Sequence, residues 1–388
     1  MRSLRWLAPR ARVVTVMAAF LCLFSRSASA GQREPACSSA ADSLAAGQLE
    51  RAVAGYQTCA TEAPSLSGFK GLAETYSRLG RYVEAVDTFH RALALNPDDS
   101  DANSELGQAL IMTGRYEDAI HALGRSVVLE PGNNRARDLL AMALFESKQY
   151  ELAAIEAAEV RRREPGNVSA AFILGACDLR LGLYASAIPL LKSAAAAAPS
   201  PEIKATLGKA YLRVHEDALA LDEFRAVEQL SPEVPGLFSE IGAAYAGLGQ
   251  KALALKAYER ALDIDPNDVA ANYYLARLNW VEGNYTVSGD YLAKARQAAP
   301  EDPLVQLLSA EVSIHTQDYA QARPLLEKVV RELPENIRAH VLLSQVYIHL
   351  QQVDEAKREE AIAKALQESA EKQREQTMQT PAGKPTPP

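Results

Sequence analysis

The chain has 388 residues, 48% of them hydrophobic, with 41 Lys and Arg against 49 Asp and Glu and a net charge of −8. That length and apolar content sustain a sizeable buried core. The acidic balance repels phosphate backbones, so nucleic acid is not an expected partner.

Residues 1–30 read as an export signal that stands apart from the fold. Arg2, Arg5, Arg10 and Arg12 form a basic start, residues 13–24 are an apolar run of 12, and Ala28-Ser29-Ala30 offers small residues before a cut after Ala30. A comfortable membrane span needs ~20 residues. A cleaved signal and a periplasmic or secreted location are therefore expected, with retention as a membrane anchor as the alternative. Cys22 follows the bulky pair Phe20-Leu21, which disfavours a lipoprotein-type cleavage. Cleavage would remove five arginines (the four above and Arg26) and no acid, leaving 36 basic against 49 acidic residues, so the charge would move from −8 to −13.

The chain then settles into a frame of 34 residues, clearest from Leu66 to Asp99. Leu72, Ala73, Tyr76, Gly80, Tyr82, Ala85, Phe89, Ala92 and Pro97 occupy its positions 7, 8, 11, 15, 17, 20, 24, 27 and 32. The proline recurs at Pro64, Pro97, Pro131, Pro165, Pro199, Pro232, Pro266, Pro300 and Pro334, in steps of 33 or 34. Small residues follow it at position 8, as in Gly107, Ala141 and Gly175, and at position 20, as in Ala119, Ala153 and Ala187. Small residues let two antiparallel helices approach closely. The aromatic and aliphatic residues lie at helical spacing. Gly80 suits a left-handed turn between helices, Pro97 ends the second helix, and Asp98-Asp99 and Asn133 suit capping of the next helix.

These spacings resemble the tetratricopeptide repeat, a helix-turn-helix unit. The resemblance implies an all-α fold, a right-handed superhelical α-solenoid of stacked hairpins. The units are a degenerate first one at 33–65, then 66–99, 100–133, 134–167, 168–200, 201–234, 235–268, 269–302, 303–336 and a C-terminal unit at 337–374. The polar, Pro-rich tail 375–388 has too little apolar surface to offset its ordering entropy and is expected to be disordered. Pro189 and Pro324, both at position 22, are expected to bend their helices. His215 and Asp217 replace the turn glycine and the following aromatic, which makes the hairpin of 201–234 the weakest match.

Cys37 and Cys59 fall on the two helices of the first hairpin, and two readings stand: a disulfide formed in an oxidising compartment, or two small buried side chains. Cys177 reads as an inert core thiol. Of the six histidines none forms a helical i, i+4 pair. His315 and His349 share position 13 of adjacent units, too few ligands for a defined metal site. There is no phosphate-binding glycine loop, dinucleotide fingerprint or nucleophile elbow. No cofactor, metal or catalytic residue is assigned, and a non-catalytic protein is expected. Two Asn-x-Ser/Thr sequences, at Asn167 and Asn284, would matter only in a eukaryotic secretory host.

In this repeat family the concave face is lined by first helices at positions 2, 5, 9, 12 and 13. Carried over, those positions give a polar start of Lys70, Glu74, Arg78, Asp101, Ser104 and Gln108, followed by Ile111 and Met112. The candidate partner groove then comprises Met142, Phe145, Phe172, Leu179, Arg180, Leu212, Arg213, Tyr273, Arg277, Trp280, Leu307 and Ile314, with Ile348 beyond. Two readings compete: a groove that buries a partner's peptide segment or helix, or side chains packed between neighbouring first helices. The carboxylate-binding set of cytosolic co-chaperone relatives is not matched. Lys70 fits, but Glu74 and Glu105 stand where Asn is wanted and Leu139 where Arg is wanted. The expected function is an exported protein-interaction scaffold for envelope or secretion machinery. The alternative is an accessory subunit of a glycan-processing complex.

Overall fold

The computed structural model describes residues 34–232 and 234–379, with side chains from 37 to 372. The expected export signal lies outside the described residues. Those described form twenty α-helices and no strand. They fall into two compact units, one up to residue 143 and one from residue 144, divided inside α7 (Asn134–Glu146).

The first unit holds α1 (Glu34–Ala45), α2 (Leu49–Glu62), α3 (Leu66–Arg78), α4 (Tyr82–Leu95), α5 (Ser100–Met112), α6 (Tyr116–Leu129) and the start of α7. Hairpins α1/α2, α3/α4 and α5/α6 stack in chain order, so that α3 touches both α1 and α5. The second unit continues with α8 (Tyr150–Arg163), α9 (Val168–Arg180), α10 (Tyr184–Ala197), α11 (Pro201–Arg213), α12 (Asp217–Leu230), α13 (Leu237–Gly247) and α14 (Lys251–Ile264). It closes with α15 (Val269–Val281), α16 (Tyr285–Ala298), α17 (Pro303–His315), α18 (Tyr319–Glu332), α19 (Ile337–His349) and α20 (Val353–Gln379). Here too each first helix contacts the next, from α9 through α11, α13, α15 and α17 to α19. Each unit is thus a solenoid of stacked helical hairpins.

First helices begin where a short polar side chain caps them. Ser65, Asp99, Asn133, Asn167, Ser200, Asp268, Asp302 and Asn336 each accept from a backbone N–H in the first turn. Such caps contribute about 1 kcal/mol each. From α3 onward the exception is α13, which starts at Leu237 after Pro235 and a left-handed Gly236, two residues into its frame. A second device recurs at position 4. Asn103, Asn272 and Gln306 donate to the carbonyls of Pro97, Pro266 and Pro300 at 3.0, 3.0 and 2.6 Å, tying each first helix to the end of the hairpin before it. His340 does the same through Nε2 to Pro334 (3.0 Å), while its Nδ1 meets the Glu359 carboxylate of α20 at 2.6 Å.

Between paired helices, position 15 takes a positive φ. Glycine supplies it at Gly80 (φ 74°), and the Arg81 N–H then bonds back to the Tyr76 carbonyl at 2.9 Å, closing the helix end. Lys148, His215, Gln317 and Gln351 hold the same conformation without being glycine, at φ from 59° to 63°. The hairpin α11/α12 therefore forms around His215 despite its altered turn. Helices α10 and α18 continue through Pro189 and Pro324.

The core sits where positions 8, 20 and 24 meet. Ala85, Phe89 and Ala92 are fully buried, as are Ala220, Phe224 and Val227. Where position 8 is glycine, a large side chain fills the space. A Cβ at Gly107, Gly208 or Gly242 would stand 2.3 Å from Leu123, 2.6 Å from Phe224 or 2.4 Å from Tyr258. Cys37 and Cys59 are disulfide-bonded across α1/α2, with Cα atoms 5.4 Å apart. Cys177 is buried, which pushes its thiol up to about 12. At the other end α20 runs to Gln379, five residues into the segment expected to be disordered. No proline or glycine interrupts 353–379, so nothing in the backbone stops the helix before Pro381.

Candidate functional site

The first helices of each unit present positions 2, 5, 9, 12 and 13 on one side. In the first unit this face is polar and largely self-neutralised. The Lys70 ammonium lies 2.8 Å from Asp99 and 3.6 Å from Asp101, Arg78 pairs with Glu74 at 2.6 Å, and Arg135 donates to Gln108 at 2.6 Å. A cavity of about 200 Å³ is lined by Asp101, Ser104, Glu105, Asn133 and Arg135. Burial, then the neighbouring Glu74 charge, holds the Glu105 carboxyl above its ordinary value. Met112 is 54% exposed beside this polar stretch, and Met142 is half-buried.

In the second unit the face is apolar. Phe145 meets the Tyr150 ring edge-on at 5.6 Å. Phe172, Leu179 and Leu212 pack against the core around Leu191, Leu207 and Phe224. Tyr273 and Trp280 pack against Leu292, Val305 and Leu308, and Leu307 and Ile314 against Leu326 and Leu343. All these candidates are half-buried, whereas Arg180, Arg213 and Arg277 are exposed. Most of each apolar side chain is thus packed against the hairpin core and a smaller part remains open.

The most open apolar residues on this face are Val281, Leu304 and Ile348, at 77, 55 and 60%. Val281 and Leu304 were not among the candidates, although they occupy positions 13 and 2 of the frame that located the others. A further feature joins consecutive hairpins. His315 packs over the Tyr285 ring at 3.6 Å, and His349 stacks on Tyr319 at 4.1 Å, each histidine at position 13 meeting the tyrosine at position 17 of the preceding unit. Trp280 closes the first group, 4.9 Å from Tyr285 and 5.6 Å from His315. Among the described residues no three His, Cys, Asp or Glu side chains converge as metal ligands, and no helix is long and apolar enough to cross a membrane.

Comparison with protein-family models agrees with this architecture. Two family models, each described as tetratricopeptide repeat, match residues 76–143 and 313–371, and residues 139–201 and 240–303. Superkiller protein 3 of Schizosaccharomyces pombe is 29% identical over 133 residues, 32% of this chain and 10% of that protein, so the match spans a tenth of the relative's length. Among solved structures, the human IFIT1 dimer with m7Gppp-AAAA is 17% identical, covering 84% of this chain and 88% of that one, with a TM-score of 0.48. The Pseudomonas aeruginosa pilF structure is 20% identical, covering 55% and 97%, with a TM-score of 0.45. The recurrent hairpins, their seam of small residues and the matched repeat models lead to one conclusion: the chain belongs to the tetratricopeptide-repeat proteins.

Proposed function

We infer that the protein is a non-catalytic scaffold that holds a peptide segment or helix of a partner protein against the first-helix face of its second unit. One observation carries this reading: Val281, Leu304 and Ile348 expose aliphatic surface there at 77, 55 and 60% while packing little of it against their own core. Exposed apolar surface bordered by charge is what a partner desolvates. An extended segment or amphipathic helix suits a face formed by parallel helical ridges.

The site of action is proposed as the periplasm or the exterior, in assembly of envelope or secretion machinery. The basic-apolar-small pattern of residues 1–30 supports export, and the Cys37–Cys59 disulfide suits an oxidising compartment.

Val281→Ser combined with Leu304→Ser tests the docking face. Neither side chain fills the core, so helical content and melting temperature are expected to stay unchanged. Co-purification of the partner from the envelope fraction is expected to be lost. Retained co-purification, with the fold intact, would place the contact elsewhere.

A further inference from the structure

The second unit's first-helix face carries a charge opposite to that of the chain. At positions 2, 5, 9, 12 and 13 of the end of α7 and of α9, α11, α15, α17 and α19 stand five cations, Arg180, Lys209, Arg213, Arg277 and Arg338, against three carboxylates, Glu146, Glu202 and Glu311. The whole chain bears −8. Pairing sharpens the contrast. Lys209 is 3.5 Å from Glu240, and Arg338 is 2.6 Å from Glu311. Asp178 accepts from Ser186 at 2.5 Å, Glu282 is held by Lys251, and the Asp217 carboxylate lies against Gly247. Arg180, Arg213 and Arg277, by contrast, are exposed and make no ion pair or side-chain hydrogen bond among the described residues. Arg277 projects from the same stretch of α15 as Tyr273 and Trp280, and Leu304 follows at position 2 of the next unit.

Three guanidinium groups without ion-pair partners, on an acidic protein and on the same set of first helices as the open aliphatic side chains, have a complementary ligand. We propose that this face binds an acidic, apolar polypeptide segment, its Asp or Glu carboxylates pairing with Arg180, Arg213 and Arg277 and its aliphatic or aromatic side chains covering Val281 and Leu304. Guanidinium is suited to this, being weakly hydrated and able to hold a carboxylate through two parallel hydrogen bonds. The aliphatic character of Val281 and Leu304 favours a chain with side chains to bury over an acidic polysaccharide. A sugar ring would seek aromatic faces and neutral hydrogen-bonding groups, and Tyr273 and Trp280 are half-buried in the seam. The proposal rests on the docking face inferred above and specifies its occupant.

The test uses the full chain and two fluorescein-labelled peptides with identical Leu and Phe at helical spacing, one carrying Glu and the other Lys at the remaining positions. The Glu peptide is expected to bind at least about tenfold more tightly. Combined Arg180→Glu, Arg213→Glu and Arg277→Glu is expected to abolish or reverse that preference with helical content unchanged. Equal binding of both peptides that is lost in Val281→Ser/Leu304→Ser keeps the face but overturns the charge assignment. Failure of both peptides overturns the docking face itself. Failure of the Glu peptide where sodium polygalacturonate binds replaces the polypeptide with an acidic glycan.

Discussion

Tyr258 occupies the frame position held by Phe89 and Phe224 in other hairpins, is fully buried, and has a hydroxyl without a hydrogen-bond partner among the described residues. Its ring contributes by filling the space over Gly242 and stacking on Tyr274 at 5.2 Å. The oxygen only carries a desolvation cost. Tyr258→Phe is therefore expected to raise stability by about 1 kcal/mol in a denaturant titration. Glu105 makes a second case. Burial and the Glu74 charge make its carboxyl hold a proton more tightly in the folded state than its ordinary value of 4.5. A carboxyl shifted upward contributes least to stability above that value and regains its contribution as it protonates. Glu105→Gln is accordingly expected to raise the melting temperature at neutral pH, with the gain shrinking as pH falls toward 4.5. A gain that stayed constant over that range would show that the charge is not the cause.

At the scale of the helix and its turns, much of the fold is legible in sequence because the demands are steric. Position 8 must be small where position 24 is large, and Gly242 shows how tight the fit is. Gly242→Ala would bring a Cβ to 2.4 Å from the Tyr258 ring and is expected to cost about 1–3 kcal/mol by denaturation. The caps at Asp99 and Asn133 are equally legible, since only short polar side chains reach the orphan N–H groups. The turn is less so. Glycine marks it at Gly80, but Gln317 and His215 adopt the same left-handed conformation. Packing of the hairpin outweighs a local strain that a sequence pattern reads as a break. Gln317→Gly is expected to relieve that strain and raise stability by about 1 kcal/mol. The ties from Asn103, Gln306 and His340 to preceding prolines were not legible. They join polar side chains of different types, Asn at 103 and 272, Gln at 306 and His at 340, to a backbone carbonyl, so no single residue identity marks them. The last turns of α20 are hard to read for a related reason: low apolar content signals a lack of packing partners, whereas Glu375 to Gln379 follow an established helix, and adding a turn costs far less than nucleating one.

At the scale of the whole molecule, the repeat determines the architecture and leaves function to the side chains that each unit adds to it. The frame located Phe172, Leu212, Tyr273 and Trp280 on the first helices, but exposure depends on how far each side chain sinks between neighbours. That is a property of the stack, and it left Val281 and Leu304 as the more open surface. Leu304, on a first helix, and Ile155, on a second helix of the same unit, are comparably exposed at 55 and 62%. Hydrophobicity and access are therefore matched, and only the face differs. The most direct measurement replaces each in turn with a photoreactive residue in the full chain and compares the partner adducts formed on irradiation in the envelope. The scaffold account predicts a discrete protein adduct from position 304 and none from position 155. Equal crosslinking from both, or an adduct from position 155 alone, would contradict it.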